Sequence, residues 1–109
     1  MKRYGMVIGL HDEKVGEYKQ LHAAVWRGVL ATLSENGVRN FTIFLKEPEN
    51  LLFGTFDYIG EDYAETAKSI AADPITREWW ALTEPCQKPL DHRREGEWWA
   101  FMENVFHLD

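Results

Sequence analysis

Val15-Gly-Glu-Tyr18-Lys-Gln-Leu21-His22-Ala-Ala-Val25-Trp26-Arg27-Gly-Val29-Leu-Ala-Thr-Leu33 is the stretch around which the chain is organised. Tyr18, His22 and Trp26 recur every fourth residue, and a helix turning about 100° per residue sets such side chains in one row. Val15, Leu21, Val25, Val29 and Leu33 fill the adjoining arc, so the spacing predicts one helix with a buried side and a phenol, an imidazole and an indole along its edge. Such an edge offers a small polar ligand both apolar wall and proton donor. The same residues also suit a core or interface with satisfied hydrogen bonds, and spacing alone does not separate the two.

The flanks decide the architecture. Before the helix, Tyr4, Met6, Ile8 and Leu10 alternate with Gly5, Val7 and Gly9, a strand whose glycine face admits a close neighbour; Asp12 is the expected N-cap and Asn36-Gly37 the expected end. Beyond it, Phe41 to Leu45 and Leu51 to Ile59 alternate as two strands joined by Lys46-Glu47-Pro48-Glu49-Asn50, an antiparallel hairpin. Gly60-Glu61-Asp62 opens a helix with Tyr63, Ala67, Ile70 and Ala71 inward, and Asp73-Pro74 caps a further helix carrying Trp79-Trp80. Pro85 to Gly96 reads as irregular, and Val105 to Leu108 as a closing strand. The order strand, helix, strand, strand, helix in two pieces, strand is that of an α+β, ferredoxin-like (split βαβ) fold with an antiparallel sheet and helices on one face. Ile43, Leu45, Phe53 and their neighbours are too apolar for the other face to stand in water, which predicts a homodimer with facing sheets.

Composition narrows the function. The 109 residues suit one domain, residues 1–109, with 45% hydrophobic and 28% charged residues. A net charge of −6 argues against a nucleic-acid partner, and His92-Arg93-Arg94 is followed at once by Glu95 and Glu97. No run is long enough to cross a membrane; the short apolar start does not make a signal peptide, and the single Cys86 fits a reducing compartment, so a cytoplasmic protein is expected. Five Trp, four Tyr and six Phe suit a sugar site or a subunit interface. Nucleotide-binding, metalloprotease and nucleophile-elbow motifs are absent, Ser34 and Ser69 have no evident base, and His11, His92 and His107 are too scattered to argue for a metal. His107, close after Glu103 and Asn104, is the one of these that could add polar groups to a pocket.

Tyr18-x-x-x-His22-x-x-x-Trp26 after an N-terminal strand, Asn50-Leu51-Leu52-Phe53, Trp79-Trp80 and Val105-Phe106-His107 together resemble the L-rhamnose mutarotase family over nearly the whole chain. The resemblance implies a dimeric α/β barrel of ferredoxin-like subunits that interconverts the anomers of a sugar pyranose without cofactor or metal. It implies that His22 takes the place of the proton donor, and that Tyr18, Phe41, Trp79 and Trp80 take the places of sugar-binding residues. Histidine chemistry agrees, because ring opening needs a proton moved between the anomeric hydroxyl and the ring oxygen near neutral pH. Adjacent tryptophans diverge by about 100° on a helix, so one of the pair is expected to face the sugar and the other to pack. Glu103, Asp57 or a water are the candidates for a partnering base. Three positions depart from the family: Phe41 stands where it has tyrosine, Arg27 where members often have proline, and an Asn-Pro-Asp loop is replaced by a segment containing Gly96-Glu97-Trp98-Trp99. These changes bear on the choice of sugar, L-rhamnose, L-fucose or another. The alternatives are another cofactor-free enzyme on the same fold, or a non-catalytic small-molecule binder.

Overall fold

The computed structural model describes residues 1–109. Its elements are β1 (Lys2–Leu10), α1 (Val15–His22), α2 (Arg27–Glu35), β2 (Val38–Lys46), β3 (Leu51–Tyr58), α3 (Tyr63–Ala72), α4 (Pro74–Thr83), β4 (Gln87–Lys88) and β5 (Ala100–Met102). The sheet runs β2-β3-β1-β4, with β5 also on β1 and every pairing antiparallel. This is the ferredoxin-like order expected from the sequence. Its fourth position is split: β4 pairs with the Gly9–Leu10 end of β1, and β5 with Gly5–Val7.

Alternation assigns the two faces. Tyr4, Met6, Ile8 and Leu10 of β1 and Leu52, Phe56 and Tyr58 of β3 lie on the helix side, where Ile8 and Leu52 are fully buried. Each such aliphatic side chain contributes about 1.5–3 kcal/mol on leaving water. Aromatic residues account for much of the rest of this layer. Tyr4, Phe56 and Tyr63 meet pairwise with centroids 5.1–5.2 Å apart, and Tyr58 and Phe41 extend the group. Much of the aromatic excess is therefore packing between sheet and helices.

Several local expectations are corrected. The helix of residues 15–33 is two helices, because Trp26 adopts φ −61°, ψ 136° and the chain restarts at Arg27. No proline or glycine marks the break; the extended Trp26 instead brings its indole to within 5.2 Å of Trp79. Arg27 occupies the first position of the new helix, where a proline also fits. Asp12 does not cap α1. Its carboxylate accepts from Asn50 Nδ2 at 2.7 Å, tying the first helix to the hairpin turn.

The closing strand is Ala100–Met102, not Val105–Leu108. Asn104 Oδ1 accepts from Phe106 N at 3.0 Å, an Asx turn that bends the chain away from β1 and leaves Val105, Phe106 and Leu108 exposed. The irregular region contributes β4. Ile43 and Leu45 do not share a face with Phe53: they pair with Gly54 and Leu52 and lie on the helix side, whereas Phe44 pairs with Phe53 on the uncovered side.

The cap expected at Asp73 forms, its carboxylate accepting from Thr76 N, and Asp62 caps α3 in the same way through Glu65 N. Gly37, at φ +85°, turns the chain out of α2. Gly9 serves the close approach predicted for its face: a Cβ there would lie 2.8 Å from the Lys88 carbonyl oxygen.

Candidate active site

α1 lies beside the β2–β3 end of the helix-side layer, and between them opens a cavity of about 280 Å³. Tyr18, Lys19, His22 and Ala23 form its helical wall, with Ile43, Leu45 and Leu52 opposite. One wall is thus polar and titratable, the other aliphatic. Its volume lies at the small end of ligand pockets.

Tyr18 and His22 are one turn apart and their rings stack, centroids 4.1 Å apart at 22°. His22 Nδ1 donates to the Tyr18 carbonyl at 3.1 Å; a carbonyl can only accept, so Nδ1 carries the hydrogen and Nε2 keeps a free lone pair when the ring is neutral. Burial lowers the His22 pKa below the ordinary imidazole value, and the bond to the Tyr18 carbonyl only partly opposes it. The imidazole is therefore neutral at pH 7. Tyr18 is 4% exposed, and burial pushes its phenol up to about 12.

Trp79 stands behind the imidazole, its centroid 5.4 Å from that of His22 and its other flank against Trp26. Helix α4 reaches this point through the Asp73–Pro74 start, with Trp79 inward and Trp80 toward the core around Met6, Phe56, Tyr58 and Ile70 and an outer groove with Arg77 and Glu84. Of the residues singled out from the sequence, the fold brings together Tyr18, His22 and Trp79. Phe41 packs against Phe56 with centroids 5.6 Å apart and rings tilted at 51°, and, like Trp80, belongs to the neighbouring aromatic layer rather than to the cavity wall.

The candidate bases stand apart from this wall. Asp57 is on the uncovered side, held by Arg3 through Nε (2.6 Å) and Nη2 (3.1 Å) and by Asn40 (2.9 Å); these donors pull its carboxyl down to about 2. Glu103 follows β5 and is exposed, and His107 contacts Arg3 and Asp109. The residue missed by sequence reasoning is Gln87, buried on β4, whose Nε2 donates to Tyr18 Oη at 3.4 Å. Its only sequence signal is an amide in an otherwise irregular stretch.

The description "L-rhamnose mutarotase" belongs to the family model that matches residues 3–108. The chain belongs to the L-rhamnose mutarotase family. The mutarotase of Oceanobacillus iheyensis is 30% identical over 109 residues and that of Lactiplantibacillus plantarum 33% over 110, each alignment covering both chains completely. The crystal structure of the L-rhamnose mutarotase of Formosa agariphila superposes with a TM-score of 0.78 at 22% identity, covering both chains in full. Tetracenomycin F2 cyclase of Streptomyces glaucescens, a type-II polyketide cyclase, superposes at 0.74 with 16% identity, over all of this chain and 98% of its own. The fold thus recurs in a protein of different chemistry, while the sequence likeness is to mutarotases. The break between α1 and α2 and the stacked Tyr18–His22 pair described above are accordingly features of a mutarotase-family chain.

Proposed function

We propose that the chain interconverts the α and β anomers of a 6-deoxyhexopyranose such as L-rhamnose, with His22 moving the proton. The observation that carries this reading is the neutral imidazole at the cavity wall with Nε2 unengaged. Nε2 takes the proton of the anomeric hydroxyl, the C1–O5 bond breaks with its electron pair going to O5, and the imidazolium returns a proton there. The open aldehyde then rotates about C1–C2 and the steps reverse on its other face. His22 thus acts first as base and then as the donor the family resemblance implies. Ile43, Leu45 and Leu52 suit the C–H face and methyl group of a deoxy sugar, and Tyr18 supplies a hydroxyl to one of its oxygens.

Phe41, Trp79 and Trp80 enter this reading differently. Trp79 backs the imidazole, and Phe41 and Trp80 act through the aromatic layer beside the cavity. The functional unit is a homodimer in which the uncovered sheet faces of two copies meet; Phe44, 62% exposed, and Met102 on that face support it. No helix is long and apolar enough to cross a membrane. The buried, unpaired Cys86 favours the cytoplasm as its compartment.

Saturation-difference NMR of L-rhamnose and L-fucose tests the reading. Wild-type protein should speed exchange between the anomers, and His22→Ala should remove at least about 10²-fold of that rate, the usual share of a general acid–base group. Unaltered exchange rates for both sugars with the wild type would overturn it.

A further inference from the structure

Gln87 is 6% exposed and both ends of its amide are engaged. Trp98 Nε1 contacts its Oε1 at 2.7 Å, and its Nε2 reaches Tyr18 Oη at 3.4 Å. The polarity of this chain follows from chemistry. An indole N–H can only donate, so the short contact must end on the amide oxygen, and the amide NH₂ must face the phenol. Tyr18 Oη is therefore an acceptor from Gln87, and no protein group takes the phenol's own hydrogen. The phenol, pushed up to about 12, keeps that hydrogen throughout the ordinary pH range.

The indole that sets this polarity is held in place. Trp98 sits on the segment between β4 and β5, and the carboxylate of its neighbour Glu97 accepts from Arg94 N at 3.0 Å and from Phe101 N at 3.3 Å. Arg93 Nε donates to the Glu97 carbonyl at 2.8 Å, closing the segment on itself. Gln87 is likewise anchored, paired in β4 with Leu10. This is the same stretch in which the sequence departs from the family pattern.

We infer that Trp98 and Gln87 are positioning residues that force Tyr18 to present a hydrogen-bond donor to the ligand, so that the phenol holds the sugar's ring oxygen while His22 Nε2 receives the anomeric hydroxyl. The inference rests on the mutarotase reading for the identity of the ligand. A pyranose ring oxygen has no hydrogen and can only accept; the anomeric hydroxyl can donate. A fixed donor at Tyr18 beside a fixed acceptor at His22 thus distinguishes the two oxygens bonded to C1, and the donor stabilises the negative charge that develops on O5 as the ring opens. With the amide reversed, the phenol would turn its hydrogen to Gln87 and meet O5 lone pair to lone pair.

Gln87→Glu performs that reversal, because a carboxylate accepts from both Trp98 and Tyr18. Protein carrying ¹³Cζ-tyrosine and ¹⁵N-tryptophan is examined first without sugar, and KM and kcat for L-rhamnose exchange are then measured in wild type, Gln87→Glu, Tyr18→Phe and the double variant. The Tyr18 Cζ and Trp98 indole resonances should both move in Gln87→Glu. KM should rise by roughly tenfold, about the worth of one such hydrogen bond, while in the Tyr18→Phe background the same substitution should add nothing. Trp98→Phe, which keeps an aromatic ring, should move the Tyr18 resonance the same way by freeing the amide to turn, and serves if Gln87→Glu does not fold. An unmoved Tyr18 resonance in both variants, or a KM penalty that persists undiminished without the phenol, would overturn the inference. Resonances that move in a protein that neither binds nor exchanges sugar would uphold the relay and overturn the mutarotase reading instead.

Discussion

His22 rests on the phenol of Tyr18, centroids 4.1 Å apart, and gives its Nδ1 hydrogen to the carbonyl of that same residue. One helical turn therefore fixes the ring's orientation and its tautomer together, leaving Nε2 for the cavity. The proposed reaction rests on this pairing rather than on a row of three aromatics, since Trp26 lies beyond the end of α1.

Sugar exchange should lose rate as the solution is acidified through the His22 pKa, which burial places below the ordinary imidazole value of about 6.5. With the neutral ring as the proposed starting base, the active form lies above that pKa and the acid limb of the profile should fall lower than for an exposed histidine. Stability moves in the same direction: the unfolded chain binds the proton more readily, so His22 favours folding fully above the unfolded pKa and loses that contribution as pH falls through the folded one. A pH–rate profile with His22→Gln as control for the stability part measures both.

Replacing Trp79 should affect the reaction more than replacing Trp80. Trp79 is 5% exposed and packs on the imidazole, whereas Trp80 packs on the core around Met6, Phe56, Tyr58 and Ile70. Trp79→Ala would cost about 3–5 kcal/mol and obscure the comparison; the phenylalanine variants are preferable. Trp79→Phe should slow exchange by roughly tenfold through loss of imidazole positioning, with Trp80→Phe near wild type, both read by exchange NMR beside a thermal melt.

Asp57→Asn should lower the melting temperature at pH 7 by several degrees while leaving the exchange rate of the folded protein intact. The Arg3 and Asn40 contacts hold the Asp57 carboxyl at about 2, below its ordinary 3.8. The carboxylate therefore stabilises the fold above the ordinary value and loses that contribution as pH falls through about 2. Melts of the two proteins as a function of pH should converge at the acid end.

Phe44→Glu should leave the fold and α1 untouched and prevent association. The side chain is 62% exposed on the uncovered sheet face and faces Phe53 across the strand pair. Light scattering should report about twice the chain mass of 12.7 kDa for the wild type and a single chain for the variant. A wild-type monomer would refute the paired-sheet assembly.

The first three strands, the Asp73 cap and the antiparallel hairpin were legible because alternation and capping are local: each is written in residues a few positions apart. The helix break was not. Trp26 leaves the helical conformation to meet Trp79, more than fifty residues away, and no nearby residue announces it. The assignment of Ile43 and Leu45 to the covered face likewise required the pairing register with Gly54 and Leu52, which a single strand's alternation does not contain.

By itself the sequence determined the ferredoxin-like class and most of the element order, pointed to the mutarotase family by resemblance, and placed Tyr18 and His22 together on one helix face. Class, order and shared face follow from spacing within elements, where backbone geometry alone carries side chains four apart to one face. Tertiary structure alone decided that Trp79 backs the imidazole while Trp80 turns away, that Asp57 is locked in an ion pair on the far face, and that Gln87 and Trp98 set the direction of the hydrogen bond at Tyr18. Each joins elements distant in the chain, and hydrogen-bond direction and burial exist only once packing has excluded water and left one partner for each donor.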